Sequence, residues 1–362
     1  MKYSISDNNK FAYLQIYEQI KKDIVSSKLT FGSKLPSKRL MAEETDTSII
    51  TVEHAYSILS DEGYIEAKER SGYYVIYKES DFLSTADSHF EPSKTPPAQN
   101  RKESDFPISV YKKTVRKVLS DRENELLGRS PNQGLEELRE EIAHYLRRSA
   151  DMNVTSEQII IGAGAEYLYS LALQLLGKSR IFALENPSYE KIRKVYTANG
   201  VKTQMLALGK NGIKTSELQR TSATVLHITP FNSFPSEVTA NVSKRLEYLK
   251  WAENRDGYII EDNYASELTV SKKNEDTVFS LSSGGRVIYI NTFSHTIAPS
   301  IRAGYMALPQ NLLEQFKEKL GFYACTVPVL DQFVLCELIK SGDFERHINK
   351  VRRTKRKAAP CG

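Results

Sequence analysis

The spacing of apolar residues predicts three short helices at the start of the chain. The second of them is predicted over 37–44, and the third runs to about Glu62, capped by Thr47 or Ser48. The first lies within residues 11–28, where apolar residues recur every third or fourth position, as on one face of an amphipathic helix: Leu14, Tyr17, Ile20 and Ile24.

A β-hairpin is predicted directly after the third helix. Residues 64–68 and 73–77 alternate in polarity and flank a turn that contains Gly72. Three short helices followed by a hairpin is the order of a winged helix-turn-helix, whose third helix enters the DNA major groove. Periodicity alone equally permits another small α+β domain.

Strands and helices alternate through the rest of the chain. Helices are predicted over 133–148, from Ala165 to about Leu176, over 189–199 and over 242–253, and strands over 158–161, 180–184, 224–228, 258–261 and 287–290. This order predicts an α/β fold with a mostly parallel, doubly wound sheet. Ligands bind such sheets at the carboxyl ends of the strands. The candidate polar positions there are Gly164, Asn186, Asp262, Tyr264, Thr292 and Arg302.

A segment rich in Ser, Pro and charged residues lies between the two parts. Residues 79–105 gain too little from burial to fold alone, so we expect a linker. The predicted domains are therefore 1–78 and 106–362. The 362 residues are 40% hydrophobic and 26% charged, which excludes a disordered chain, a collagen-like chain and a disulfide scaffold.

The net charge of +5 comes from the end of the chain. Residues 345–362 carry seven basic groups and one acid, whereas residues 1–78 are balanced, so charge alone does not predict nucleic-acid binding. No apolar run is long enough for a membrane span or a signal peptide. The three cysteines fit neither a disulfide framework nor a metal site. We therefore expect a soluble, cytoplasmic protein without a metal.

Three motifs in the first part resemble the GntR family of bacterial transcription regulators. They are L-P-S-K-R-L-M-A, T-S-I-I-T-V-E-H-A-Y-S-I-L-S-D-E-G-Y-I and R-S-G-Y-Y-V, within residues 11–77. Ile49 departs from the family, whose members commonly have Arg there. The resemblance implies double-stranded DNA as a partner and five residues at the DNA: Ser37, Arg39, Ser48, Thr51 and Gly72. Arg39 suits phosphate or guanine contacts, and the hydroxyls of Ser48 and Thr51 suit phosphate contacts. Gly72 would let the hairpin approach the DNA closely.

Motifs of the second part look like the fold type I aminotransferases. They include G-L-E-E-L-R-E-E-I-A, E-N-P-S-Y, I-T-P-F-N-S-F-P-S, I-I-E-D-N-Y-A-S-E and Y-I-N-T-F-S-H-T-I-A-P-S-I-R-A-G-Y. Joined to a GntR-type head, they make the chain similar to the MocR/GabR subfamily over residues 11–356. The resemblance implies a winged helix fused to an aminotransferase-like domain.

The same resemblance implies pyridoxal 5'-phosphate as a cofactor. A carboxylate holds the pyridine nitrogen of this cofactor protonated, and Asp262 matches it. Tyr264 matches the donor to the ring hydroxyl, although either residue could instead be an ordinary strand-end cap. Tyr189 could stack on the ring. Arg302 matches the phosphate-binding arginine, beside Gly164, Ala165, Thr292 and Ser294. The turn at residues 162–165, between a strand and a helix start, itself suits an anion.

The chain departs from the aminotransferase pattern in three ways. His295 stands where the family has its Schiff-base lysine, and imidazole has no primary amine, so we expect weak, non-covalent cofactor binding. Ser236-Glu237 replaces a usual Thr-Gly. The chain stops at Gly362, where the family continues into a small domain that holds the substrate-carboxylate arginine. The departures are those expected of a frameshifted or truncated gene, or of a degenerate paralogue.

Three functions remain open at this point. The favoured one is a transcriptional regulator that binds an operator, senses pyridoxal phosphate or an amine, and forms a head-to-tail homodimer. The second is an enzyme that uses His295 as a base with the pyridoxamine form of the cofactor, as some fold type I sugar dehydratases do. The third is a non-functional remnant that exposes apolar surface near residues 320–340.

Overall fold

The computed structural model describes residues 3, 5, 11–69, 71–78, 104–264, 266–268, 276–283 and 285–358. The chain divides into two compact units, Met1–Ala98 and Gln99–Gly362. Most of the expected linker lies outside the described residues, as does Arg70 of the hairpin turn.

The N-terminal unit contains three helices and a two-stranded sheet. The helices are α1 (Ala12–Val25), α2 (Lys38–Thr45) and α3 (Ile49–Asp61), and the antiparallel strands are β1 (Ile65–Lys68) and β2 (Gly72–Val75). This is the predicted winged helix-turn-helix order. The prediction of the inward face of α1 was partly wrong. Ile16 is buried together with Ile20 and Ile24, whereas Leu14 and Tyr17 are only half-buried.

An eight-stranded sheet forms the centre of the C-terminal unit, in the order β3-β10-β9-β8-β7-β4-β5-β6. The strands are β3 (Ile159–Gly162), β4 (Phe182–Asn186), β5 (Thr203–Gly209), β6 (Gly212–Ile213), β7 (Val225–Ile228), β8 (Tyr258–Asp262), β9 (Val287–Thr292) and β10 (Gly304–Ala307). The neighbours from β9 to β5 are parallel, whereas β10 and β6 pair antiparallel with their neighbours. The predicted mostly parallel sheet is confirmed.

Helices cover both faces of this sheet. They are α4 (Ile108–Asp121), α5 (Glu136–Ala150), α6 (Ala165–Leu176), α7 (Glu190–Ala198), α8 (Thr215–Arg220), α9 (Val242–Asn254), α10 (Val278–Leu281), α11 (Leu313–Leu320), α12 (Val329–Lys340) and α13 (Asp343–Ala358). Successive strand residues pack on opposite sides: Ile160 packs with α6 and α11, whereas Ile159 and Ile161 pack with α5 and α12. The strands are therefore buried on both faces, as parallel sheets require.

Apolar residues near the end of the described chain are mostly buried. Val327 and Phe333 lie in the core, and α12 packs on α4 and α5. The apolar exposure expected near residues 320–340 is concentrated at Phe322 and Tyr323, which are 69% and 38% exposed. Among the described residues, no helix is both long enough and apolar enough to span a membrane.

Candidate functional site

A cavity of about 400 Å³ opens at the carboxyl ends of the central strands. Asp262 ends β8, Thr292 ends β9, and α6 begins beside them at Ala165. The carboxyl ends of neighbouring parallel strands leave a crevice, and the loops that follow the strands line it. The lining residues are Ala165, Glu166, Tyr169, Tyr189, Ile192, Thr229, Phe234, Asp262, Tyr264, Thr292, Ser294, His295, Pro299 and Arg302.

The predicted cofactor residues therefore meet in one place. All of them except Gly164 line this cavity, and Gly164 is the residue that caps α6 at the same end. Sequence reasoning missed three neighbours of these residues: Glu166 and Tyr169, which bond to Arg302 and Asp262, and His227, which lies near Asp262. No local motif marks these three, because α6 and β7 bring them to the site only through the packing of the sheet.

Asp262 is a buried carboxylate with one oxygen already engaged. Tyr169 donates its hydroxyl to Oδ2, and Nε2 of His227 lies 3.8 Å from the same oxygen. Burial, reinforced by the charge of Asp262, raises the pKa of Tyr169 far above its ordinary value, so its hydroxyl stays a donor. Oδ1 of Asp262 has no hydrogen-bond partner among the described residues. A protonated ring nitrogen in the cavity would satisfy it.

Arg302 lies at the start of α6, in the part of the cavity that we call the anion end. Gly164 has φ +86°, and a Cβ at this position would lie 3.3 Å from Nη2 of Arg302. The first turn of α6 carries the positive end of the helix dipole, and the backbone N–H of Glu166 there donates to its own carboxylate. Glu166 already lies there: its carboxylate is 2.9 Å from Nη2 of Arg302 and 3.6 Å from Nζ of Lys191.

The pKa of Glu166 reflects this setting. Burial alone raises the pKa, but the hydrogen bond from its own backbone N–H and the charge of Arg302 outweigh burial and leave the pKa below its ordinary value. Glu166 is therefore ionised at neutral pH and partly neutralises the arginine.

Aromatic rings form the walls between these two ends. Tyr189 packs edge-on against Phe234 with ring centroids 6.1 Å apart, and Tyr264 packs edge-on against His295 at 5.7 Å. The hydroxyl of Tyr264 donates to the carbonyl of Asn232 at 3.2 Å. The cavity walls thus combine aromatic rings with the aliphatic side chains of Ile192 and Pro299.

His295 lies at the rim of the cavity. Partial desolvation, and then the charge of Lys355, lower its pKa below the ordinary value of 6.5. The imidazole is therefore neutral at pH 7. The neighbouring Ser294 donates its hydroxyl to the carbonyl of Ile301 at 2.7 Å, which fixes the loop that presents both residues.

The loop after β7 carries two residues in the left-handed region. Asn232 has φ +48° and Glu237 has φ +57°. Ser233, between them, donates its hydroxyl to the buried carboxyl of Glu185 at 2.6 Å. Glu237 stands where the family usually has Gly. It therefore adopts a left-handed backbone conformation that Gly adopts more easily.

The predicted DNA residues lie at helix starts and at the hairpin turn. Ser37 caps α2 by accepting from the N–H of Leu40 at 3.2 Å, and Ser48 caps α3 by accepting from the N–H of Thr51 at 3.1 Å. Their side chains thus have structural roles. Arg39 is exposed in the first turn of α2, and Gly72 begins β2 with φ +110°.

Each of the two units matches a known protein family. Residues 12–75 match the bacterial regulatory proteins of the gntR family, and residues 98–355 match the aminotransferases of class I and II. The chain therefore belongs to the helix-turn-helix regulators that carry an aminotransferase-like domain, the MocR-type arrangement.

Individual relatives match this chain across both units. The chain is 33% identical to the HTH-type transcriptional regulator YdeL of Bacillus subtilis, with 95% of this chain and 77% of YdeL covered. It is 28% identical to the probable rhizopine catabolism regulatory protein MocR of Rhizobium meliloti, over 94% of this chain and 74% of that protein. It is 27% identical to the pyridoxine biosynthesis regulator PdxR of Corynebacterium glutamicum, with 94% and 75% covered.

Solved structures share the fold of the C-terminal unit. An archaeal alanine:glyoxylate aminotransferase superposes with a TM-score of 0.64 at 23% identity, and the kynurenine aminotransferase of Pyrococcus horikoshii with 0.61 at 24%. Each match covers 68% of this chain and 64% of the aminotransferase.

Proposed function

We propose that this protein is a DNA-binding transcription regulator whose C-terminal unit senses a pyridoxal phosphate-type or amine ligand without acting as an aminotransferase. One observation carries the proposal: a cavity lined by the polar groups expected of a cofactor site includes His295, at the position where the resemblance to aminotransferases implies a lysine. The N-terminal unit supplies the operator-binding surface, through α3 and the hairpin.

The cavity residues suit pyridoxal phosphate. Asp262 has a buried oxygen without a partner among the described residues, available to the protonated pyridine nitrogen. Arg302 lies beside Gly164 at the start of α6, where a phosphate would compete with Glu166 for the guanidinium. When bound, the cofactor supplies an electron sink for bonds at the amine-bearing carbon. Within this proposal the remaining contacts would come from Ala165, Tyr189, Tyr264, Thr292 and Ser294.

His295 changes what this site does. Its imidazole has no primary amine, so the cofactor would be held only by ring stacking, hydrogen bonds and charge, and therefore weakly. Because the ring is neutral, it can accept a proton from a ligand beside it. Proton acceptance favours the alternative function, an enzyme that works with the pyridoxamine form and a His base.

Turnover separates these two functions. The protein is mixed with pyridoxamine phosphate and a panel of keto compounds, and formation of pyridoxal phosphate is followed by absorbance. The regulator proposal expects no turnover beyond that of His295→Ala. Repeated consumption of the amino form that disappears in His295→Ala would establish the enzyme instead.

We also infer a homodimer that works in the cytoplasm, where its DNA is. Leu127 is 97% exposed and Ile108 is 65% exposed, and a second copy of the C-terminal unit would bury such apolar side chains. Sedimentation equilibrium tests this inference: the mass of two chains is expected, and the mass of one chain at micromolar concentration would contradict it.

The primary test is fluorescence anisotropy with the DNA upstream of the protein's own gene, at fixed salt, with and without pyridoxal phosphate. Binding tighter than to scrambled DNA, with an affinity that the cofactor changes, is expected. Equal binding to both DNAs would refute operator recognition, and specific binding that ignores the cofactor and all tested amines would refute sensing.

A pair of variants locates the sensing site. Asp262→Asn keeps the shape but removes the charge that would hold a protonated ring nitrogen, so DNA binding should remain and its response to the cofactor should fade. Asp256→Asn is the matched control, because its carboxylate is exposed and pairs with Arg286 outside the cavity. Loss of response in both variants would contradict the assignment.

A further inference from the structure

Helix α3 presents two apolar side chains to solvent in its first turn. Ile49 is 46% exposed and Ile50 is 77% exposed. The opposite face of the helix is fixed in the core by Val52, Ala55, Tyr56 and Leu59. The cap from Ser48 holds the first turn in place, so both isoleucines lie at the end of the helix that this fold directs into the major groove.

Two polar side chains of the same helix are already engaged within the unit. Glu53 is ion-paired with Lys38, and the ring of His54 stacks on Tyr13 with centroids 4.1 Å apart. The sequence of α3 contains neither Lys nor Arg. The bidentate arginine contact to guanine, which is the commonest specific contact in the major groove, therefore cannot come from this helix.

Cations flank α3 rather than lie on it. Arg39 is exposed in the first turn of α2, and the side chain of Lys34 runs under the start of β2, with Cε 3.2 Å from where a Cβ on Gly72 would be. These groups suit phosphates on either side of a groove, and phosphate contacts fix orientation without reading sequence.

We propose that Ile49 and Ile50 read thymine C5-methyl groups in the major groove, so that the operator carries A·T pairs where the first turn of α3 enters. The thymine methyl is the apolar feature of the major groove, and an exposed isoleucine is its apolar complement. The inference rests on the proposed DNA-binding function and specifies its sequence preference.

The test removes single methyl groups from the DNA. A nuclease footprint of the full chain on its upstream DNA first defines the protected region. Each thymine of that region is then replaced by deoxyuracil, one at a time, and binding is measured by titration at fixed salt. At least one replacement should weaken binding about fourfold, which corresponds to the loss of one buried methyl group, while the other replacements should change binding little.

Variants connect that loss to the isoleucines. The double variant Ile49→Ala/Ile50→Ala should bind thymine and uracil DNA equally, whereas Ile50→Val should keep the preference. Val25→Ala is the control, because Val25 is 49% exposed on α1 and should not change the preference. Both isoleucines are exposed, so the variants should fold, which melting curves check.

Each outcome decides something. Equal affinity for upstream and scrambled DNA would overturn operator recognition, and the inference with it. Specific binding that is insensitive to every uracil substitution would overturn the inference and leave the proposed function standing. A thymine preference that survives in the double alanine variant would assign the methyl contact to other residues and also overturn the inference.

Discussion

Nη2 of Arg302 lies 2.9 Å from Oε2 of Glu166, so an internal carboxylate already occupies part of the anion end of the cavity. Both groups are partly exposed, with side-chain accessibilities of 59% and 34%. A phosphate that bound here would have to displace Glu166 from the arginine or lie beside its negative charge. The affinity of this site for a phosphate would therefore depend on the position of Glu166.

Replacing Glu166 by Gln should tighten the binding of pyridoxal phosphate and of inorganic phosphate about tenfold. The change removes the repulsion between a carboxylate and a phosphate dianion in a partly screened site. This repulsion is of the order that changes an affinity tenfold. Affinity is measured by equilibrium titration of cofactor fluorescence, and of inorganic phosphate by calorimetry.

Glu190→Gln is the control for net charge. Glu190 lies in the first turn of α7, is exposed, and pairs with Lys194. It should leave both affinities unchanged. Equal tightening in the two variants would indicate a general charge effect, and unchanged affinity in Glu166→Gln would show that Glu166 swings away without cost.

The variant His295→Lys should allow a covalent bond to pyridoxal phosphate. Position 295 lines the same cavity as Asp262 and Tyr264, so a primary amine there would meet the bound aldehyde. Borohydride reduction should then give a permanent mass increase that peptide mapping locates at this position. His295→Arg adds a cation without a nucleophilic amine and should give none. No adduct in His295→Lys, or one elsewhere in the chain, would reject the proposed cofactor geometry.

Stability should fall as the pH rises because Glu185 is buried. Burial raises its pKa from 4.5 to about 8. The folded chain keeps this proton where the unfolded chain has released it, so the free energy of unfolding decreases between about pH 4.5 and pH 8. Glu261 and Glu267, whose pKa burial raises to about 7, act in the same direction.

Glu185→Gln should flatten this dependence. The amide resembles the protonated carboxyl and does not ionise, so the Tm of the variant should fall less than that of the wild type from pH 5 to pH 8.5. Glu253→Gln, at an exposed position on α9, should keep the wild-type slope. Parallel melting profiles for wild type and Glu185→Gln would contradict the raised pKa.

Glu237→Gly should stabilise the protein by about 0.5–1 kcal/mol. A left-handed residue with a Cβ costs about 1–2 kcal/mol, and the greater freedom of Gly in the unfolded chain offsets part of the gain. Glu237 has φ +57° and is exposed, so little packing is lost. Urea unfolding gives the comparison with Glu237→Ala, which keeps the strain. The same gain in the alanine variant would attribute the effect to the lost charge.

Much of the fold follows from short-range pattern. The caps at Ser37 and Ser48, the 3.6-residue periodicity of the helices and the turn at Gly72 are local signals, and the predicted winged helix formed from them. Strands rich in Ile and Val were also predicted. β5 was missed because its sequence, T-Q-M-L-A-L-G, has a single β-branched residue. β10 was missed because G-Y-M-A has none.

The sequence by itself determined which polar groups are available, since Asp262, Tyr264, Arg302 and His295 are readable at the ends of strands and in motifs. Only the tertiary structure decided their partners. Tyr169 reaches Asp262 across 93 positions of the chain, and Glu166 reaches Arg302 across 136. Such contacts depend on strand order and helix placement, which a local pattern does not encode. The charge and hydrogen bonding of the site are therefore set by packing, although its residue types are set by sequence.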